Sequence, residues 1–317
     1  MIVTLTLNPS LDRTVEVDSL DRGAVLRTSA PTLEPGGKGV NVTRALSANG
    51  IPSLAVVAVA GPEGAELSRL LERDGILCRF VPVSGRTRSN LTVCEADGTI
   101  TKLNEPGSAL REDDVAAIAT AVRTSVRDGD WLVVSGSTPP ELGAGQVTEL
   151  LLDAAETGAQ LAVDTSGPAL VAAVATKPRL IKPNRDELSE LVGRPLGSIA
   201  EVIAAAEQIR ARGVEIVLVS LGAEGAVLVG PSGVRVGESR VDKPRSTVGA
   251  GDSFLAGFLS RFAADESDLE SALLEALTWG AAATRLPGSA VPAPGDLDSS
   301  IVQLVWQPDL DRPLVAS

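Results

Sequence analysis

Short runs of apolar β-formers alternate with segments of helical periodicity along most of this chain, and that rhythm limits its fold more than any other feature. Residues 1–7, 54–60, 131–134, 160–163, 179–181 and 216–219 read as core strands. Residues 39–49, 63–74, 111–123, 145–157, 184–192 and 199–212 read as helices between them. Strand–helix–strand units of this kind predict an α/β fold with a mainly parallel sheet flanked by helices on both faces. Two stretches break the rhythm. Residues 13–33 and 86–104 are extended with a period of two, as in Leu91-Thr-Val-Cys-Glu-Ala and Gly98-Thr-Ile-Thr-Lys-Leu. They are expected to form one small antiparallel β lid, although they lie far apart in sequence. A hairpin over 225–236, turned at Gly230-Pro-Ser-Gly233, adds edge strands. Helices over about 250–262 and 267–285 precede a Pro-rich tail. With no repeat and no low-complexity linker, residues 1–317 are read as one domain.

The chain has no histidine, which removes Ser-His-Asp and Cys-His machinery and every His-ligated metal. Its two cysteines, Cys78 and Cys94, lack metal-ligand spacing and read as small buried hydrophobes in a reducing compartment. Aromatics are only 2% of the residues, so the core is expected to be built from Ala, Val, Leu and Ile. A net charge of −13 argues against nucleic acid or an anionic membrane as partner. An anionic substrate would therefore need local positive groups, and the basic residues beside glycines become informative. The N-terminus alternates like a strand with no basic leader, and no apolar run approaches the ~18 residues of a membrane-spanning helix. A cytoplasmic protein is expected.

Four strings carry chemistry. In Ser246-Thr-Val-Gly249-Ala250-Gly251-Asp252, two glycines flank an alanine where a helix begins. Three successive backbone N–H groups are then expected to be free, and with the helix dipole they form an anion hole. Asp252 at that spot could simply cap the helix. Beside a bound phosphate it can instead accept the proton of an attacking hydroxyl. In Glu34-Pro-Gly36-Gly37-Lys38-Gly39-Val-Asn41, glycines permit close backbone approach and Lys38 supplies a point charge. In Lys182-Pro183-Asn184-Arg-Asp-Glu187, Asn184 and Glu187 lie three apart at a helix start. That spacing suits a capping box, and equally Mg²⁺ held through waters. Ser220-Leu-Gly222-Ala-Glu-Gly225 is a tight turn at the carboxyl end of a strand, where α/β sheets bind ligands.

Taken together and in this order, these strings resemble the ribokinase-like carbohydrate kinase family, of the minor-phosphofructokinase type, over nearly the whole chain. The first residue of its usual Asp-Thr-x-Gly-Ala-Gly-Asp signature is Ser246 here. Within the family, the strings Thr6-Leu-Asn-Pro-Ser-Leu-Asp12, Thr87-Arg-Ser-Asn90, Ser135-Gly-Ser137, Asp164-Thr-Ser-Gly167 and Lys182-Pro-Asn184 look most similar to bacterial 1-phosphofructokinases and tagatose-6-phosphate kinases. The resemblance implies a kinase that moves the γ-phosphoryl group of ATP onto fructose 1-phosphate, with tagatose 6-phosphate as the alternative acceptor.

It also implies roles for individual residues. Asp252 is the base, with Gly249, Ala250 and Gly251 as the anion hole. Asp12, Gly37 and Asn41 hold sugar hydroxyls, and Ser137 touches substrate. Arg88, Lys38 and Lys102 hold the acceptor's phosphate. Lys182, Asn184, Ser220, Gly222, Gly225 and Thr247 line the ATP site, with Glu187 and Asn184 on the Mg²⁺ side. K⁺ is a candidate activator at carbonyls near Ser246, Val248 and Gly288. Lid sheets of this kind pair between subunits, so a homodimer is expected. A non-catalytic sugar-phosphate sensor on the same fold is disfavoured by the intact Asp252 and glycine hole. A dinucleotide-binding oxidoreductase is disfavoured because no G-x-G-x-x-G follows the first strand.

Overall fold

The structure is a computed structural model that describes residues 1–28 and 30–314. Ser29 of the expected lid stretch and residues 315–317 of the expected domain lie outside the described residues. Along the chain the strands are β1 (Ile2–Thr6), β2 (Ser10–Val17), β3 (Thr32–Gly36), β4 (Ser53–Val59), β5 (Cys78–Pro82), β6 (Arg88–Glu95) and β7 (Ile100–Asn104). They continue as β8 (Trp131–Ser135), β9 (Gln160–Asp164), β10 (Leu180–Ile181), β11 (Ile216–Ser220), β12 (Ala226–Gly230), β13 (Gly233–Ser239) and β14 (Val302–Leu304). The helices are α1 (Lys38–Ala48), α2 (Gly61–Arg73), α3 (Glu112–Ser125), α4 (Ala144–Ala155) and α5 (Gly167–Ala175). After them come α6 (Arg185–Val192), α7 (Ile199–Arg210), α8 (Ala250–Phe262) and α9 (Leu269–Thr284).

The large sheet runs β14-β13-β12-β11-β10-β9-β8-β1-β4-β5, parallel from β11 to β5 and antiparallel from β11 to β14. Alternation along β1 sends Val3 and Leu5 to one face, where they meet Ile118 and Val122 of α3 and Leu150 of α4. Ile2 faces the other side, with Val42 and Leu46 of α1 and the phenylalanines of α8. The few aromatics are concentrated there. Phe254, Phe258 and Phe262 of α8 are buried with Trp131 and Trp279, so the helix that starts at the glycine hole carries most of the aromatic core.

Two elements of the βα core depart from the expected list for physical reasons. Helix α5 is apolar on every side, so it shows no helical stripe in the sequence. Strand β5 ends at Pro82 on the sheet edge, the position where a strand tolerates proline. In the Pro-rich tail, β14 pairs with β13.

The small sheet runs β3-β2-β6-β7. Its outer pairs are antiparallel and its central seam, β2 against β6, is parallel. The stretch 13–33 is not extended throughout. Strand β2 starts earlier, at Ser10, and residues 18–28, 30 and 31 contain no strand. Asp18-Ser-Leu-Asp-Arg-Gly23 is turn chemistry and Pro31 cannot donate to a ladder, so period two alone misread that stretch.

Candidate active site

The parallel strands all end on one edge of the large sheet, and the polar side chains gather there. Asp164 closes β9, Lys182 follows β10, and Ser220 closes β11. Asn184 bridges to Ser220, which joins the third and fourth sequence strings into one wall. Gly222–Glu224 forms a single 3-10 turn beyond it, ending at Gly225.

Opposite this wall stands the start of α8. Gly249 has φ 74°, a left-handed conformation that glycine adopts without a Cβ penalty. The first helical bond runs from Ser253 N to Gly249 O at 2.9 Å, so the amides of Gly251 and Asp252 precede any helical acceptor. The expected set of three free amides is reduced, because Ala250 N donates back to Thr247 O at 3.4 Å. Thr247 itself is exposed.

Asp252 is 6% exposed, and its Oδ2 accepts a hydrogen bond from Asn41 Nδ2 at 2.8 Å. Burial pushes its carboxyl up and the nearby negative charge of Asp164 adds to this. The Asn41 hydrogen bond, Lys38 and Lys182 pull it back, leaving it raised to about 6. A Cβ built on Gly251 would lie 3.6 Å from Lys182 Nζ, so the ammonium stands at the glycine hole.

One fully buried carboxylate organises the cations. Asp164 takes Lys38 Nζ at 3.0 Å on Oδ1 and Lys182 Nζ at 3.2 Å on Oδ2. Burial alone would push the Asp164 carboxyl up, but Lys182 and Lys38 hold it below the usual carboxylate range. Lys38 is raised in turn, chiefly by Asp164. The sequence strings assign Asp164 no role. A carboxylate directly after the apolar run Leu161-Ala-Val163 was the available signal.

Glu187 serves both readings of its spacing. Its Oε2 accepts from Asn184 N at 2.8 Å, and Asn184 Oδ1 accepts from Glu187 N at 2.8 Å, which is the capping box. Its Oε1 faces Lys38 Nζ at 3.8 Å. Among the described residues no three acidic or thiol side chains converge as a metal cage. Mg²⁺ carried by nucleotide phosphates needs only one or two carboxylates, and Glu187, 14% exposed at the start of α6, is a carboxylate that fits that mode.

The lid supplies the other side. Gly37, at φ 118°, caps α1 where the lid strand β3 joins the body. Asp12 Oδ1 accepts from Ser10 Oγ at 2.7 Å and Asn90 Nδ2 at 2.9 Å. Arg88 donates to Asn8 O at 3.3 Å and Glu105 O at 3.2 Å, beside a cleft of about 310 Å³. Ser137 is exposed, and its hydroxyl accepts from Asn8 at 3.3 Å. The three cations expected to share one phosphate have different surroundings. Lys38 is drawn into the Asp164 cluster by its ion pair. Lys102 pairs with Thr92, four residues along β6 from Arg88, or roughly 13 Å at ~3.3 Å per residue.

A model of the pfkB family carbohydrate kinases matches residues 5–295. The chain belongs to the pfkB family of carbohydrate kinases. Membership makes it an ATP-using phosphotransferase that acts on a sugar hydroxyl. This pfkB kinase is 37% identical over 274 residues to a 1-phosphofructokinase of Xanthomonas campestris, across 84% of this chain and 86% of the relative. It is 38% identical to the ATP-dependent 6-phosphofructokinase isozyme 2 of Escherichia coli, across 91% and 94% of the two chains. A crystal structure of phosphofructokinase-2 from Escherichia coli in complex with potassium superposes with a TM-score of 0.89. That pair shares 36% identity, with 93% of this chain and 96% of the other covered. The pfkB family and these neighbours together make this chain a sugar-phosphate kinase of ribokinase-like fold.

Proposed function

We propose that this kinase transfers the γ-phosphoryl group of ATP to the C6 hydroxyl of fructose 1-phosphate, giving ADP and fructose 1,6-bisphosphate. The observation that carries the phosphoryl-transfer half is Asp252, buried at the glycine hole with its carboxyl raised to about 6. At pH 7 it is ionised yet basic enough to accept the hydroxyl proton as the O6–P bond forms and the bond to the ADP oxygen breaks. The Gly251 and Asp252 amides and Lys182 would stabilise charge on the moving phosphoryl group. Lys38 works at this end too, beside Lys182, rather than on the acceptor's phosphate. Ser220, Gly222, Gly225, Asn184 and Thr247 would border the nucleotide. Mg²⁺, when bound with the nucleotide, neutralises phosphate charge, and Glu187 and Asn184 would hold its waters.

At the opposite end, Arg88 would hold the phosphate, with Asp12 and Asn90 on the sugar hydroxyls and Ser137 nearby. Asn41 faces the base itself, so its contact with sugar is secondary. The 1-phosphofructokinases among the relatives favour fructose 1-phosphate. Their Escherichia coli relative, named a 6-phosphofructokinase, supports fructose 6-phosphate as the second reading. A coupled ADP assay across fructose 1-phosphate, fructose 6-phosphate and tagatose 6-phosphate, with and without K⁺, decides between them. We expect the highest kcat/KM for fructose 1-phosphate. A tenfold preference for either rival, about 1.4 kcal/mol in the transition state, replaces the assignment. No ADP with any acceptor returns the sensor reading.

K⁺ would sit at the loop where Ser246 Oγ donates to Gly288 O at 2.8 Å, and a rate unchanged by K⁺ removes it. Homodimer formation through the lid is supported by Ile100 and Leu103, exposed on β7. A monomer in sedimentation would end that reading. Among the described residues no helix is long and apolar enough to cross a membrane, and we propose a cytoplasmic site of action.

The acid limb of the rate profile follows from Asp252. Its carboxyl is raised, so protonation inactivates the base at a higher pH than for an ordinary aspartate. We expect kcat/KM to fall as pH drops through about 6. A limb that stays level down to pH ~4.5, near unperturbed carboxyl values, would dissociate catalysis from this group.

A further inference from the structure

Arg44 lies on α1, one turn beyond Asn41, and the reaction as proposed makes no use of it. Its Nη1 donates to Asn41 Oδ1 at 3.3 Å, to Ser289 O at 3.3 Å and to Pro35 O at 3.5 Å. One nitrogen thus touches three elements: the helix that carries Asn41, the loop after α9, and β3 at the root of the lid. The guanidinium is a donor only. Whatever faces it must accept, so the Asn41 amide is oriented with Oδ1 toward Arg44 and Nδ2 toward Asp252. Without that donor only the Asp252 carboxylate selects the amide's orientation, and as that carboxyl protonates the amide can turn over and accept from it. An acceptor at that place favours the protonated carboxyl, whereas the present donor favours the ionised one.

We infer that Arg44 is a positioning residue, fixing the Asn41 amide so that it donates to Asp252 and tying that amide to the root of the lid. The inference rests on Asp252 as the base. The groups that face Asp252 are Asn41 and Lys38 from α1, Asp164 from the end of β9 and Lys182 from the residue after β10. Those whose charge reaches Arg44 are Glu34 of β3, Asp12 of β2 and Asp74 after α2. Each of these is left in place by a substitution at Arg44, so the amide is what changes.

The test is the acid limb of kcat/KM, which reports the free enzyme. In Arg44→Met the limb is expected to move to higher pH by about half to one unit, the size of one lost hydrogen bond to the carboxylate. Asn41→Leu should shift it by the same amount, and the double variant no further, because both act through one bond. Arg44→Lys remains donor-only and should restore most of the wild-type limb. A purely structural tie would lower yield or stability without moving the midpoint. An unshifted limb in folded Arg44→Met, additive shifts in the double variant, or an unshifted limb in Asn41→Leu overturns the inference. The Asn41→Leu arm holds even if Arg44→Met does not fold. Full activity in Asp252→Asn would instead remove the base itself, which distinguishes the two failures.

Discussion

Asp252→Asn is expected to keep its fold and its nucleotide binding while kcat falls by about 10²–10⁴, the usual size of a lost general base. Asparagine is nearly isosteric, so the helix start and the Gly249–Gly251 backbone have no reason to move. It also removes a buried negative charge held against that of Asp164, so stability should hold or rise. Loss of turnover with stability retained is the pattern of a group placed for chemistry rather than for folding. Turnover within a few-fold of wild type in folded protein would refute the assignment, because water does not reach this 6%-exposed carboxylate freely enough to replace it.

Asp164→Ala should behave in the opposite way and unfold the protein readily. Asp164 is fully buried between two ammonium groups, and Lys182 is itself only 4% exposed. Removing one partner of a buried ion pair leaves an uncompensated charge and costs about 3–5 kcal/mol. Lys38 is less affected, since it is partly exposed and has Glu187 at 3.8 Å. Equilibrium urea unfolding with an unchanged slope reads the loss directly. A loss under about 1 kcal/mol would mean that Lys182 turns to solvent. In that case the lysine pair is not held by this carboxylate.

Much of this was legible in the sequence because each string is a local event. A glycine pair before an amphipathic run marks α8, and an Asn–Glu spacing marks the cap of α6, and both form as expected. What local patterns do not carry is which string meets which. Asn41 bonds a residue 211 positions away, and Lys38 one 126 away. The packing of α1 against α8 and the place of β9 in the parallel sheet set those meetings. The resemblance therefore groups Lys38 with Arg88, whereas the buried carboxylate at the end of β9 draws it into the Asp164 cluster. Lys102 is a different case. Its strand was right, but a strand offset of four residues is invisible until pairing is known. Helix α5 was missed because a helix apolar on all sides has no stripe to detect.

The parallel seam of the lid bears on the order of assembly. Strands β2 and β6 touch although their partners lie 78 positions apart in the chain, as in the Asn90–Asp12 bond. No hairpin can nucleate such a seam. Its closure entropy is recovered only after β1, α1, β4, α2 and β5 have brought the two segments together. The lid sheet is therefore expected to form late and to open locally while the large sheet stays shut.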